Sequence, residues 1–279
     1  MTAPLSVLIP ANNEAGYIGR CLRSLAEQAP APPGPKQIIV AANACTDTTI
    51  AEAEACRDAL QDAGWTMEIL DLPTPGKLPA LNAAEAQATG QVLVYLDADV
   101  TCAPPLMAQL VSALDTDLPR YASGTLQVAA PRSWVTRCFA QVWQQLPFMT
   151  TNVQGAGVFA VNRPGRARWG AFPDIIADDA YVRLMFAPDE RIKVPAMYQW
   201  PMVEGFLRLV RVRRRQDAGV QQLATLYPEI MANESKPPMT LADHGRLFVK
   251  NPVAYPVYCA VMIAVKLGRA NADAWTRGR

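Results

Sequence analysis

The first hundred residues alternate between two periodicities, and that alternation limits the folds open to the chain. Short, apolar, β-rich runs stand at 5–10 (LSVLIP), 36–42 (KQIIVAA), 66–70 (TMEIL) and 91–96 (QVLVYL). Between them, Ala-, Glu- and Leu-rich stretches at 15–28, 47–63 and 77–89 carry helical spacing, and APAPPGP at 29–35 reads as a loop that stops the first helix. Strands that are apolar throughout, instead of alternating, are buried on both faces, as in a parallel sheet with helices on either side. Right-handed crossovers then predict a doubly wound α/β domain whose ligands bind beyond the carboxyl ends of the strands.

Beyond Asp99 the alternation weakens. A strand is predicted at 121–128, a helix at 132–148 from the apolar stripe through 134, 135, 138, 139, 142, 143 and 146, and a strand at 155–161. Another helix begins near Asp178, and 203–232 reads as helical and basic. At 279 residues the simplest parsing is one domain over 1–232, with a nucleotide-binding half (1–101) and an acceptor-side half (102–232). Residues 233–279 then form a C-terminal extension.

The formal net charge of +1 points to no nucleic-acid partner, so any charge argument has to be local. The six cysteines are scattered, with no C-x-x-C and no histidine close by, which favours reduced thiols in a cytoplasmic protein over structural zinc. MTAPLSVLIP lacks the basic start and long apolar core of a signal peptide, and the longest apolar tract, 252–265, is short for a bilayer and holds two prolines. No transmembrane helix is expected.

Strand four ends in LDADV, with Asp97 and Asp99 two residues apart. On extended backbone such residues face the same side. Two carboxylates about 4 Å apart repel by roughly 4 kcal/mol at an effective dielectric near 20. A divalent cation removes that penalty, and hard oxygen ligands suit Mg²⁺ or Mn²⁺; the plainer alternative is a solvated turn. Position favours the cation, because polar clusters follow the other three strands on the same rim. They are Asn12, Asn13 and Glu14 after the first, Asn43 and Asp47 after the second, and Lys77 and Asn82 after the third. Asp47 alone could be a helix cap, but four clusters on one rim describe a cleft.

The ordered set SVLIPANNE, IIVAANACTDTT, GKLPALNAAEAQATGQVLVYLDADV and IADDAYVRLMF resembles the family 2 glycosyltransferases of the GT-A fold, over roughly residues 5–190. The resemblance implies a mixed, mostly parallel sheet flanked by helices, with a helical C-terminal region. It implies a nucleotide-sugar donor, most simply UDP-linked, whose base and ribose lie on the loops of Pro10, Asn12, Glu14, Asn43 and Asp47. Lys77 then stands near the nucleotide, and Asp97 and Asp99 hold the metal that bridges the diphosphate. It also makes Asp179 the base that activates a hydroxyl acceptor in an inverting transfer, supported by Asp178. Without the resemblance, Asp178 and Asp179 are acids that favour a helix start. Two departures stand out: the second loop has Ala42 and Asn43 where the family usually has an acidic pair, and the Q-x-x-R-W motif of processive synthases is missing. Transfer of a single sugar is therefore expected. Asn43 can still pair with a base edge, since an amide both donates and accepts.

Gly155 and Gly157 permit close backbone approach, and Trp169 and Phe172 either stack on a sugar at the acceptor side or belong to the core. Arg208, Arg211, Arg213, Arg214 and Arg215 form a solvated helical face, a diphosphate clamp or an attraction to an anionic membrane. With the apolar C-terminal tract and the Trp134/Trp143 stripe, the last option predicts peripheral contact with the cytoplasmic face of a membrane and suits a lipid-linked or cell-envelope acceptor. His244, the single histidine, is either a surface residue or a third metal ligand. Two rivals compete. A haloacid-dehalogenase-like phosphatase would use Asp97 as nucleophile and Asp99 as acid/base, although its motif normally follows the first strand of the sheet. A non-catalytic nucleotide-binding protein would bind donor without turnover.

Overall fold

A computed structural model describes residues 3–268. Its first elements are β1 (Leu5–Ala11), α1 (Ile18–Ala26), β2 (Lys36–Asn43), α2 (Thr49–Glu54), α3 (Arg57–Asp62), β3 (Thr66–Leu72), α4 (Lys77–Gln87) and β4 (Val92–Leu96). There follow β5 (Thr101–Cys102), α5 (Leu106–Leu114), β6 (Tyr121–Val128), α6 (Trp134–Trp143), α7 (Pro147–Thr151), β7 (Val158–Asn162) and α8 (Arg163–Arg166). The last are α9 (Asp178–Leu184), β8 (Arg191–Trp200), α10 (Phe206–Leu226), α11 (Leu241–Lys250) and α12 (Ala254–Leu267). The chain groups into two units. One comprises the chain up to Leu126 with Val153–Asp174 and Met185–Trp200; the other comprises Gln127–Asn152, Ile175–Leu184 and the chain from Pro201 on.

The first unit is built on one sheet of order β3-β2-β1-β4-β7-β6-β8-β5. β1 pairs in parallel with β2 and β4, and β2 with β3, whereas β7 runs antiparallel to β4 and β6. Every residue of β4 is buried, as its unbroken apolar sequence predicts, while the edge strand β3 alternates. Pro10 lies in a strand with partners on both sides, but β4 pairs only with Leu5–Leu8, so the missing N–H falls where that ladder has ended. The single helix expected over 47–63 is two, α2 and α3, and both pack on α1. The turn between them lets Ala53 and Leu60 each reach the core.

α5 and β8 lie in stretches that the sequence reading leaves unassigned. α5 does carry a helical stripe, with Leu106, Met107, Leu110, Val111 and Leu114 buried. β8 contains Pro195, which argues against a strand. β5 pairs only with Tyr198 and Gln199, so the proline lies outside that ladder.

The second unit is helical. Phe139, Val203, Leu209, Val210, Val261 and Val265 form its core, with a smaller cluster of Cys138, Val142 and Ala254. The Glu204 carboxylate accepts from the backbone N–H groups of Arg132 and Ser133 at 2.9 and 2.8 Å, satisfying donors at the entry to α6. Gly219 lets α10 approach the chain before α9, since a Cβ there would lie 2.9 Å from Ala177 Cβ. Arg183 is buried, pairs with Glu234 at 2.7 Å and lies over the Phe148 ring.

Candidate functional site

The loops beyond β1 and β2 are knitted together by their own polar side chains. Asn43, 2% exposed, donates from Nδ2 to the carbonyls of Ala11 (2.8 Å) and Ala41 (3.3 Å), and its Oδ1 accepts from Gly76 N–H (3.0 Å). One amide thus ties together the chain ends beyond β1, β2 and β3. Asn12 donates to the carbonyls of Asn43 and Ala44. Asn13, with φ of 52°, adopts a left-handed conformation that asparagine tolerates, and its Oδ1 accepts from the N–H groups of Thr46 and Asp47. Asp47 accepts from Ala15 N–H (3.2 Å) and Thr49 N–H (3.0 Å). Burial alone would raise the Asp47 carboxyl, but these bonds and one from the Thr49 hydroxyl hold it below its ordinary value.

These contacts revise the parts expected of two residues. The Asn43 amide, expected to read a base edge, is bonded on both of its ends within the protein. Asp47 likewise shapes the loop. Asn43→Ala would strip a buried donor and a buried acceptor of their partner, and we expect a loss of about 2–4 kcal/mol in urea denaturation. Asn13, part of the polar cluster after the first strand but absent from the set expected to touch ligand, proves central to the same loops.

Asp97 and Asp99 follow the central strand β4. They sit in a turn in which Val100 N–H donates to the Asp97 carbonyl at 3.1 Å, so the turn, not the strand alternation assumed from sequence, brings the two acids together. Burial first, and the adjacent Asp97 charge second, push the Asp99 carboxyl up to about 7. Lys77, the first residue of α4, places Nζ 3.0 Å from Asp97 Oδ1. Lys77 answers Asp97, and the desolvated Asp99 beside it is a carboxyl that a bound cation would hold ionised. Among the described residues, no group of three or more His, Cys, Asp or Glu side chains is arranged for a metal.

Asp97 N–H donates to the Gly157 carbonyl at 2.8 Å, so the start of β7 steadies the turn. Gly157 has φ of 79°, and a Cβ there would lie 2.6 Å from Trp200 Cδ1 and 2.8 Å from Val100 Cγ2. The close approach permitted by Gly155 is likewise to the protein itself, because a Cβ there would run into the Tyr121 hydroxyl.

Trp169 and Phe172, expected to stack on a sugar or line the core, take the second course at 7% and 5% exposure. Phe172 packs edge-on to Tyr95, whose hydroxyl donates to Glu85 at 2.6 Å. Arg166 lies over the Trp169 ring and pairs with the same glutamate. Asn82 is also structural: its Oδ1 accepts from Phe172 N–H at 2.8 Å, fixing that segment to α4.

In the second unit, Asp178 and Asp179 open α9 as the sequence predicts. Asp178 is buried, whereas Asp179 is half-buried, with Oδ1 accepting from Ala180 N–H at 2.7 Å. The arginines of α10 divide. Arg208 and Arg211 are exposed, Arg213 lies 3.5 Å from Asp217, and Arg214 donates to the carbonyls of Ala264 (2.6 Å) and Val265 (3.2 Å), capping α12. His244 on α11 bonds through Nδ1 to the Tyr255 hydroxyl.

A family profile described as Glycosyl transferase family 2 matches residues 6–153. No curated protein sequence matches the chain significantly. Among solved structures, the mannosyltransferase PcManGT from Pyrobaculum calidifontis, in complex with GDP-Man and Mn²⁺, superposes with a TM-score of 0.61 at 24% identity, covering 98% of this chain and 78% of that one. Glucosyl-3-phosphoglycerate synthase from Mycobacterium tuberculosis, with Mn²⁺, UDP and glucosyl-3-phosphoglycerate, gives 0.55 at 19% identity over 79% of each chain. TarS residues 1–349 from S. aureus in complex with UDP gives 0.53 at 14% identity, covering 99% and 95%. At these identities the likeness is one of fold, and the expected GT-A-like sheet with flanking helices is what the first unit displays.

Proposed function

The chain belongs to glycosyl transferase family 2 and is a glycosyltransferase; on that premise we propose that it moves one sugar from a UDP-linked donor to an acceptor hydroxyl, with inversion. The observation that carries the reading is the Asp97–Asp99 turn, two carboxyls at the exit of the central strand, one paired with Lys77 and the other raised by burial and by its neighbour. Manganese accompanies the nucleotide or nucleotide sugar in two of the structures named above. When bound at Asp97 and Asp99, Mn²⁺ or Mg²⁺ would neutralise the donor diphosphate and improve the nucleotide as a leaving group.

The chain's own residues supply the rest. Pro10, Asn12, Glu14 and Asp47 shape the walls for base and ribose, Asn43 positions those walls, and Lys77 steadies Asp97. Gly155 and Gly157 shape the segment leading into β7, on the acceptor side. Asp179 accepts the acceptor's proton, and the buried Asp178 supports it; the greater exposure of Asp179 favours this division. The exposed apolar helices of the second unit support an acceptor carried on a lipid. The phosphatase alternative falls with the family assignment, as does a protein that only binds.

A thermal-shift panel of UDP, GDP and their sugars, with and without Mn²⁺, tests the donor. We expect UDP with Mn²⁺ to raise the melting temperature most. Saturation at a hundredfold over Kd stabilises by about 2.7 kcal/mol, or roughly 5–10 °C for a chain of this size. A larger shift with GDP would replace the base, and the same shift without cation would remove the metal from the reading.

A further inference from the structure

The second unit carries an apolar surface that its own core does not use. On α11 the buried residue is Leu247, whereas Leu241 and Val249 turn away from it and are 90% and 78% exposed; Phe248, 50% exposed, rests one edge on Tyr255. In the elbow that joins α11 to α12, Val253 is 64% exposed, and on α6 Trp134 is 54% exposed. Trp134, Lys250 and Val253 line one shallow pocket, so α6 and the elbow present a continuous face. An apolar patch of this kind marks a surface of association.

The elbow is held in place from beneath. Asn251 is 3% exposed, and its Oδ1 accepts from Gln141 Nε2 at 2.8 Å and Gln145 Nε2 at 3.1 Å. Its Nδ2 donates to the Leu247 carbonyl at 3.1 Å. A buried, bonded asparagine at a helix–helix turn fixes the neighbouring side chains outward. Two exposed cations flank them, Lys250 on α11 and Arg137 on α6. The acid on α11, Asp243, is bonded by Thr240 and Arg246.

We propose that this face docks on an anionic phospholipid bilayer. Trp134, Leu241, Phe248, Val249 and Val253 enter the boundary between headgroups and acyl chains, and Lys250 lies at the lipid phosphates. The charges favour lipid over a second copy of the chain, because a symmetric pair would bring the same cations face to face. No helix among the described residues is long and apolar enough to cross a membrane; the proposed contact is with the surface. The inference does not rest on the donor reading, and its test needs no sugar nucleotide.

Sedimentation of the full chain with phosphatidylcholine vesicles, with and without a third of phosphatidylglycerol, measures the contact directly. The expected result is binding to the anionic vesicles, lost in neutral ones and at high salt. The double variant Val249→Asp/Val253→Asp should lower the partition coefficient at least tenfold, and Lys250→Glu at least about fivefold, since each cation near the surface is worth about that factor. In the parent, Trp134 should produce a vesicle-induced blue shift that Trp134→Phe removes, a readout that survives if the aspartate variant misfolds. The proposal is overturned if the parent ignores anionic vesicles, or if both charge-changing variants bind as it does. It is equally overturned if the parent sediments as a dimer that Val249→Asp/Val253→Asp dissociates, because the face would then lie between copies.

Discussion

Asp179→Asn is expected to lower kcat by roughly 10²–10⁴-fold while leaving donor binding and melting temperature close to those of the parent. The substitution keeps nearly the same shape. It also keeps an oxygen for the Ala180 N–H that now meets Asp179 Oδ1 at 2.7 Å, so the start of α9 loses no backbone partner. What disappears is the capacity to take a proton from the acceptor. The expected loss corresponds to about 3–5 kcal/mol of the barrier, a minor share of an enzyme's total, which leaves positioning and charge neutralisation to provide the remainder. Initial rates at saturating donor, with a thermal shift in UDP as the binding control, give the answer. Undiminished turnover would show that the half-buried acid is only a helix-start residue.

The second large effect is at the turn. Replacing Asp97 or Asp99 with alanine should lower kcat/KM on the order of 10³-fold and abolish the manganese-dependent part of UDP binding. Chelation of the parent should approach the same floor, and the variants should be insensitive to chelator. Asp99→Asn adds a test that activity cannot mimic. With its carboxyl raised to about 7 by burial and by Asp97, the folded metal-free chain holds a proton there that the unfolded chain has already released. Stability therefore falls as pH rises from the ordinary carboxylate range through about 7. Exchanging this acid for its amide should flatten that limb and raise the melting temperature at neutral pH, even as turnover is lost. A variant that keeps its cation-dependent UDP shift would move the metal away from this turn. The opposite pH slope in the parent would refute the electrostatic account of Asp99.

Much of the fold was legible because β4 is apolar from end to end and β1 and β2 carry long apolar runs, which burial on both faces of a sheet explains. The same pattern located the rim, since polar residues after every strand have to fall at its carboxyl edge. The acids at 97, 99, 178 and 179 were visible as residue types at particular element ends. Less visible was β8, whose proline argues against a strand and lies outside the ladder with β5.

Contacts between residues far apart in sequence could not be read in this way. Asn43 looked like a base-reading amide, but its partners are Ala11 and Gly76, brought to it by the parallel register of β1, β2 and β3. Trp169 and Phe172 fitted either a platform or the core by sequence, and the packing of Tyr95, Glu85 and Arg166 around them puts them in the core. Periodicity and composition specify which surfaces leave water, because burial acts on each element through its own pattern. Whether a polar group or a ring then faces a ligand or a neighbour depends on pairings across dozens of residues, and those exist only once the chain has folded.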